Sequence, residues 1–131
     1  GADIVQQLHW AYQPEVLEGW PLRPVVDFIV KDPAGVVVTD QNWLDELTQA
    51  LCAQGLPLPA SGDTYPLHPV TTAHRFATSY APRVVCVEVR RDRLVGDFVP
   101  FVPLSAVPEM VLPIAQAVAA ATALYWKSIT S

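Results

Sequence analysis

Apolar residues recur along this chain at two periods. From Asp3 to Gln13, Ile4, Val5, Leu8, Ala11 and Tyr12 stand at helical spacing, with Asp3 placed to cap the run and Pro14 to stop it. Glu15 to Pro24 is an ordered loop held by Trp20. Val25 to Lys31 (VVDFIVK) is apolar on both faces apart from Asp27, the pattern of a buried strand in a helix-covered sheet. Asp27 either pairs with Arg23 or faces a cleft. Asp32-Pro-Ala-Gly35 has proline and glycine where a turn wants them. Val36 to Val38 then either pair back as a hairpin or lead into a helix. That helix is capped by Thr39 or Asp40, carries a stripe of Trp43, Leu44, Leu47, Ala50 and Leu51, and ends at Gly55.

Leu56 to Pro69 (LPLPASGDTYPLHP) is too rich in turn residues for regular structure. It is either a binding loop carrying Asp63, Tyr65 and His68, or a surface loop pinned by Tyr65 and Leu67. Val70 to Tyr80 predicts a short helix with Ala73, Phe76 and Ala77 inward. In Val84 to Asp97 (VVCVEVRRDRLVGD), Val85, Val87 and Val89 take one face and Cys86, Glu88 and Arg90 the other, as in a central strand. Two prolines in Phe98 to Pro103 (FVPFVP) predict an extended segment along an edge or cleft. From Pro108 a helix presents Met110, Val111, Ile114, Ala115, Val118, Ala121 and Tyr125 on a broad apolar face, and Pro113 fits only in its first turn or at a kink. Strands alternating with helices predict a layered α/β architecture.

Composition narrows the class. With 131 residues, 51% of them hydrophobic, the chain is expected to form one domain over residues 1–131. A net charge of -5 argues against nucleic acid or an anionic membrane as partner. Glu109, Pro113, Gln116 and Lys127 interrupt the last apolar stretch, which is expected to dock as a helix and not to span a membrane. Arg90, Arg91 and Arg93 nevertheless form a local cationic cluster that suits a small anionic ligand, unless it is only a solvated strand end. Cys52 and Cys86 sit in apolar surroundings and read as reduced core thiols, which fits a cytoplasmic setting. The opening Gly1-Ala2, with no initiator methionine and no signal pattern, reads as the start of a fragment.

Candidate chemistry centres on Glu88. A carboxylate inside a β-branched run is costly to bury, so it is either paired internally with Arg90 or held as a reactive group at the mouth of a sheet. His9, His68 and His74 share no metal-ligand spacing, the cysteines have no basic neighbour, and no glycine-rich phosphate loop is present.

Asp63-Thr-Tyr-Pro-Leu-His-Pro69, a short helix, and then Val87-Glu-Val-Arg-Arg-Asp92 together resemble the last part of N-formylglutamate amidohydrolase-like proteins, in the zinc carboxypeptidase and aspartoacylase group. The resemblance runs from about Trp20 to the end. It implies the C-terminal half of a zinc peptidase-like (phosphorylase/hydrolase-like) α/β/α fold with a mixed sheet. It further implies a zinc amidohydrolase of small N-acylated amino acids, with Glu88 as general base toward zinc-bound water and Arg90 beside it as a second catalytic group. Tyr65, Arg91 and His68 would contact the anionic substrate. The sequence departs from the family pattern at Asp63, where asparagine is usual, and at Arg93, which displaces the expected leucine to Leu94. The family's zinc ligands all precede the matching region. The resemblance therefore implies zinc only in the complete protein, with its missing N-terminal region as a partner and this chain inactive alone. Self-association into a homo-oligomer is expected from an uncovered sheet edge and face. The competing reading is a non-catalytic assembly or binding domain in which Glu88 and Arg90 form a structural ion pair.

Overall fold

The computed structural model describes residues 23–131 apart from 63 and 98. The expected helix from Asp3 to Gln13, with His9, and the Trp20 anchor lie outside the described residues, as does Asp63. The described chain is mixed α/β, with elements in the order β1 (Val26–Phe28), α1 (Gln41–Ala53), β2 (Ala60–Ser61), α2 (Thr72–Ser79), β3 (Val87–Val89) and α3 (Pro108–Thr130).

The sheet order is β2-β1-β3, with β2 parallel and β3 antiparallel to β1, so the sheet is mixed as expected. Its centre, however, is β1. The Val84 run supplies an edge among the described strands, because it pairs with β1 alone. Strand β2 falls inside the stretch read as loop, where Ala60 and Ser61 pair with Asp27 and Phe28. Parallel pairing requires a crossover, and α1 provides it.

Local chemistry explains most element ends. Asp32 Oδ1 accepts from the N–H groups of Ala34 and Val36 at 2.9 Å, and Gly35 takes φ +81°, so the turn folds back tightly. Lys31 bridges Val37, and the Val38 N–H donates to the Val30 carbonyl at 2.9 Å, which selects the hairpin. Asp40 caps α1 by accepting from the Asn42 N–H at 3.0 Å. At the other end Gly55 (φ +83°) donates to the Cys52 carbonyl at 3.0 Å and Leu56 donates to Leu51 at 3.3 Å, a Schellman closure.

The core lies on one face of the sheet. Val26, Phe28 and Val30 meet Leu44, Leu47 and Leu51 of α1 and Ile114, Ala117 and Ala121 of α3. Full burial of each large side chain is worth about 1.5–3 kcal/mol. The inward stripe of α3 is Ile114, Ala117, Ala121 and Tyr125, rotated from the expected one, and Ala115 is exposed. Tyr125 stacks on Trp43 with ring centroids 5.0 Å apart, and its hydroxyl donates to Asp40 Oδ2 at 2.7 Å. By length and composition α3 is long and apolar enough to cross a bilayer, whereas its interruptions predicted a docked helix; in the structure it lies along α1.

Three other expectations change. Cys52 is exposed, because it falls on the outer side of α1, away from Leu47 and Leu51. Phe76 is also exposed, tilted against Tyr80 at 5.1 Å, and in α2 only Ala77 is buried. From Val99 to Pro103 the chain does not run extended along an edge: the Val102 N–H donates to Val99 at 3.1 Å, Val95 bridges Ala106, and Phe101 projects fully exposed at φ 65°.

Candidate functional site

Antiparallel pairing sets Asp27 of β1 directly opposite Glu88 of β3. Directly paired residues share a face of the sheet, so both carboxylates point away from the side where Val26, Phe28, Val87 and Val89 meet the core. Two like charges so placed repel each other unless their surroundings compensate. Each carboxylate has donors of its own.

Asp27 is 2% exposed, yet its Oδ1 accepts from the Gly62 N–H at 2.9 Å and its Oδ2 from the Thr64 N–H at 2.7 Å. The carboxylate thereby fastens the loop after β2 to the central strand. Gly62 has φ +75°, a conformation that favours glycine, and a Cβ there would stand 3.2 Å from the Lys31 side chain, which would have to shift. Tyr65, next along this loop, accepts from Arg23 Nη2, and the guanidinium lies 5.0 Å from the centre of its ring.

Glu88 Oε1 receives Arg23 Nη1 at 3.2 Å, with the Glu88 side chain 40% exposed. The pairing of Glu88 with Arg90 that sequence proximity suggested is not formed. Arg90 instead grips Asp92 through two bonds, Nε to Oδ1 at 2.8 Å and Nη2 to Oδ2 at 3.0 Å, while its Nη1 donates to the Arg23 carbonyl at 2.8 Å. It therefore braces Arg23 from behind. Arg91 begins a 3-10 turn (Arg91–Arg93), is exposed, and pairs with no carboxylate among the described residues.

Arg23, Asp27, Thr64, Glu88, Arg90 and Arg91 line a cavity of about 90 Å³. Pockets for drug-sized ligands run to roughly 300–1,000 Å³, so this one holds a few waters or one end of a small molecule. Of the residues singled out from sequence, the structure brings Glu88, Arg90 and Arg91 to the cavity and places Tyr65 against Arg23 at its side. His68 is not among the lining residues; it is exposed, its Nδ1 accepting from the Val70 N–H at 3.3 Å. Arg23 and Thr64 were not singled out as site residues. Asp27 was noticed as a buried charge, and its solitary place in an apolar strand was the one available signal. Arg23 was named only as a partner for Asp27, and it reaches Glu88 only through the fold.

Among the described residues no group of three or more His, Cys, Asp or Glu side chains is arranged to hold a metal ion. These residues therefore do not fit a zinc site by themselves. We found no family model, curated protein or solved structure that matches the chain.

Proposed function

We propose that this chain is the C-terminal portion of a zinc-dependent amidohydrolase of small N-acylated, in particular N-formyl, amino acids, built on a zinc peptidase-like α/β/α fold. The observation that carries the reading is the position of Glu88: on the polar face of the sheet, at a cavity lip, with three arginines around it. Arg23 occupies Oε1, which leaves Oε2 for a proton from water. In this scheme Glu88 takes that proton as the water oxygen attacks the acyl carbon, then delivers it to the amine nitrogen as the C–N bond breaks. Arg91 meets the substrate carboxylate in the bidentate manner that guanidinium permits. Arg90, engaged by Asp92, supports the site through Arg23. Zinc and its ligands belong to the missing N-terminal region, and the enzyme works in the cytoplasm on a small anionic substrate.

The test uses the complete protein with its upstream coding region. N-Formylglutamate should be hydrolysed, zinc should be present by elemental analysis, and Glu88→Gln should abolish turnover while zinc content holds. Unchanged turnover in Glu88→Gln would sink the assignment. The 131 residues alone should neither bind zinc stoichiometrically nor hydrolyse substrate.

A second reading, a non-catalytic binding or assembly domain, draws on the Arg23–Glu88 bridge, which neutralises the candidate base in place. It predicts a complete protein that lacks hydrolytic activity and is indifferent to Glu88→Gln.

A further inference from the structure

Helix α3 turns one stripe toward the core and a second, partly apolar stripe toward solvent. Leu112 and Leu124 are each 56% exposed. The only charged side chains of the helix are Glu109 in its first turn and Lys127 in its last. They stand eighteen residues apart, which at about 3.6 residues per turn is five full turns, so both lie on the same outward line. Between them on that side stand Leu112, Gln116, Ala120 and Leu124, all exposed.

These positions are symmetric about Val118. Glu109 precedes it by as much as Lys127 follows it, and the same holds for Leu112 with Leu124 and for Gln116 with Ala120. They are also symmetric around the helix: Leu112 and Leu124 flank the Glu109–Lys127 line on opposite sides by equal angles at about 100° per residue. A two-fold axis level with Val118 therefore brings two complementary contacts into register at once. Each Glu109 meets Lys127 of the other copy and each Leu112 meets Leu124, while Ala120, set against Gln116, leaves room for the backbones to approach.

We propose that the outward stripe of α3 is an isologous docking surface for a second copy of this chain, pairing the two helices antiparallel about Val118. Self-complementarity is what a two-fold interface demands. A bilayer surface is the less favoured occupant, because the stripe has no cationic cluster and the chain carries net charge -5. At 1.5 Å per residue the helix is roughly 34 Å long, which supports an interface at the small end of the stable range and a dimer that exchanges at micromolar concentration, on the order of 1–100 µM. The proposal is independent of catalysis.

Sedimentation equilibrium of the full chain, from about 1 µM to 1 mM, tests it. The expected result is a monomer–dimer equilibrium that Leu112→Lys weakens at least about tenfold. Glu109→Lys alone and Lys127→Glu alone should each weaken it about threefold to tenfold, by setting like charges together at both ends. The double swap should restore the dimer to within about threefold of the original. A chain that stays monomeric throughout overturns the proposal, as does a dimer indifferent to Leu112→Lys. A double swap that fails to rescue overturns the antiparallel register. Cosedimentation with phosphatidylcholine vesicles without dimerisation would assign the surface to a membrane instead.

Discussion

Phe28 and Asp27 are consecutive residues of the same central strand, both almost wholly buried, and they belong to different kinds of structure. Phe28 joins a close-packed apolar cluster in which many weak contacts replace water. Asp27 lies in a place where every polar atom needs a named donor, and two backbone N–H groups supply it. The apolar side has many contributors, so its strength is distributed. The polar side depends on a few bonds, each holding one piece in position: Asp27 the loop, Arg23 the glutamate, Arg90 the arginine.

That contrast orders the effects of substitution. Leu47→Ala, at a fully buried position between sheet and helices, should lower unfolding free energy by about 2–5 kcal/mol in a urea titration. A loss under 1 kcal/mol would mean that the apolar face is loosely packed. Asp27→Ala leaves the Gly62 and Thr64 N–H groups without that carboxylate and should cost about 1–3 kcal/mol, with faster amide exchange concentrated at those two residues. Exchange spread evenly over α1 and α3 would show that Asp27 supports the core and not the loop.

Tyr125 stands at the boundary of the two regimes, stacked on Trp43 and bonded to Asp40. Burial pushes its hydroxyl above the ordinary value, Asp40 adds to the shift by hydrogen bond and charge, and Arg83 opposes it. A phenol whose pKa is raised on folding contributes stability that is complete below its unfolded value of about 10 and is lost as pH rises through the folded value. Stability should therefore decline in alkali above about pH 10, and Tyr125→Phe should cost about 1–2 kcal/mol at pH 7 while flattening that decline. A pH profile identical in the variant would remove Tyr125 as its source.

The smallest stability effect is expected at the residue of greatest chemical interest. Glu88→Gln breaks a bridge that is partly open to solvent and should change stability by at most about 1 kcal/mol. A larger loss would make Glu88 a structural residue first. Thiol reactivity separates the regions at no cost to the fold. Cys52 is exposed, whereas burial pushes the Cys86 thiol up, so iodoacetamide near pH 8 should label Cys52 well before Cys86 by mass spectrometry.

What could be read from the residue pattern follows the range of the forces involved. The Asp32 turn, the helix start at Thr39 or Asp40, the Leu44–Leu47–Leu51 stripe and the Gly55 stop are local, and each was legible from neighbours within a turn of chain, although only the structure chose Asp40 as the cap. So was the opposition of faces within the Val84 run. Which strand is central was not legible, nor that Asp27 would oppose Glu88. Register between distant strands comes from matching whole apolar faces, and alternation within one strand gives no partner. Arg23 reaches Glu88 across 65 positions for the same reason, which left adjacent Arg90 as the nearer expectation. On α3 an apolar run with alanine throughout offers several stripes of equal merit, and only contact with α1 selects one.

The Asp40 carboxylate does two jobs at once, holding the Asn42 N–H at the start of α1 and the Tyr125 hydroxyl in the penultimate turn of the C-terminal helix. The beginning of one helix and the end of another are thus fastened together, across 85 positions of chain. Fraying at the C-terminus is therefore not a local event. When the last turns of α3 peel away, the first turn of α1 loses one side of its anchor, so the two ends open and close as one cooperative unit.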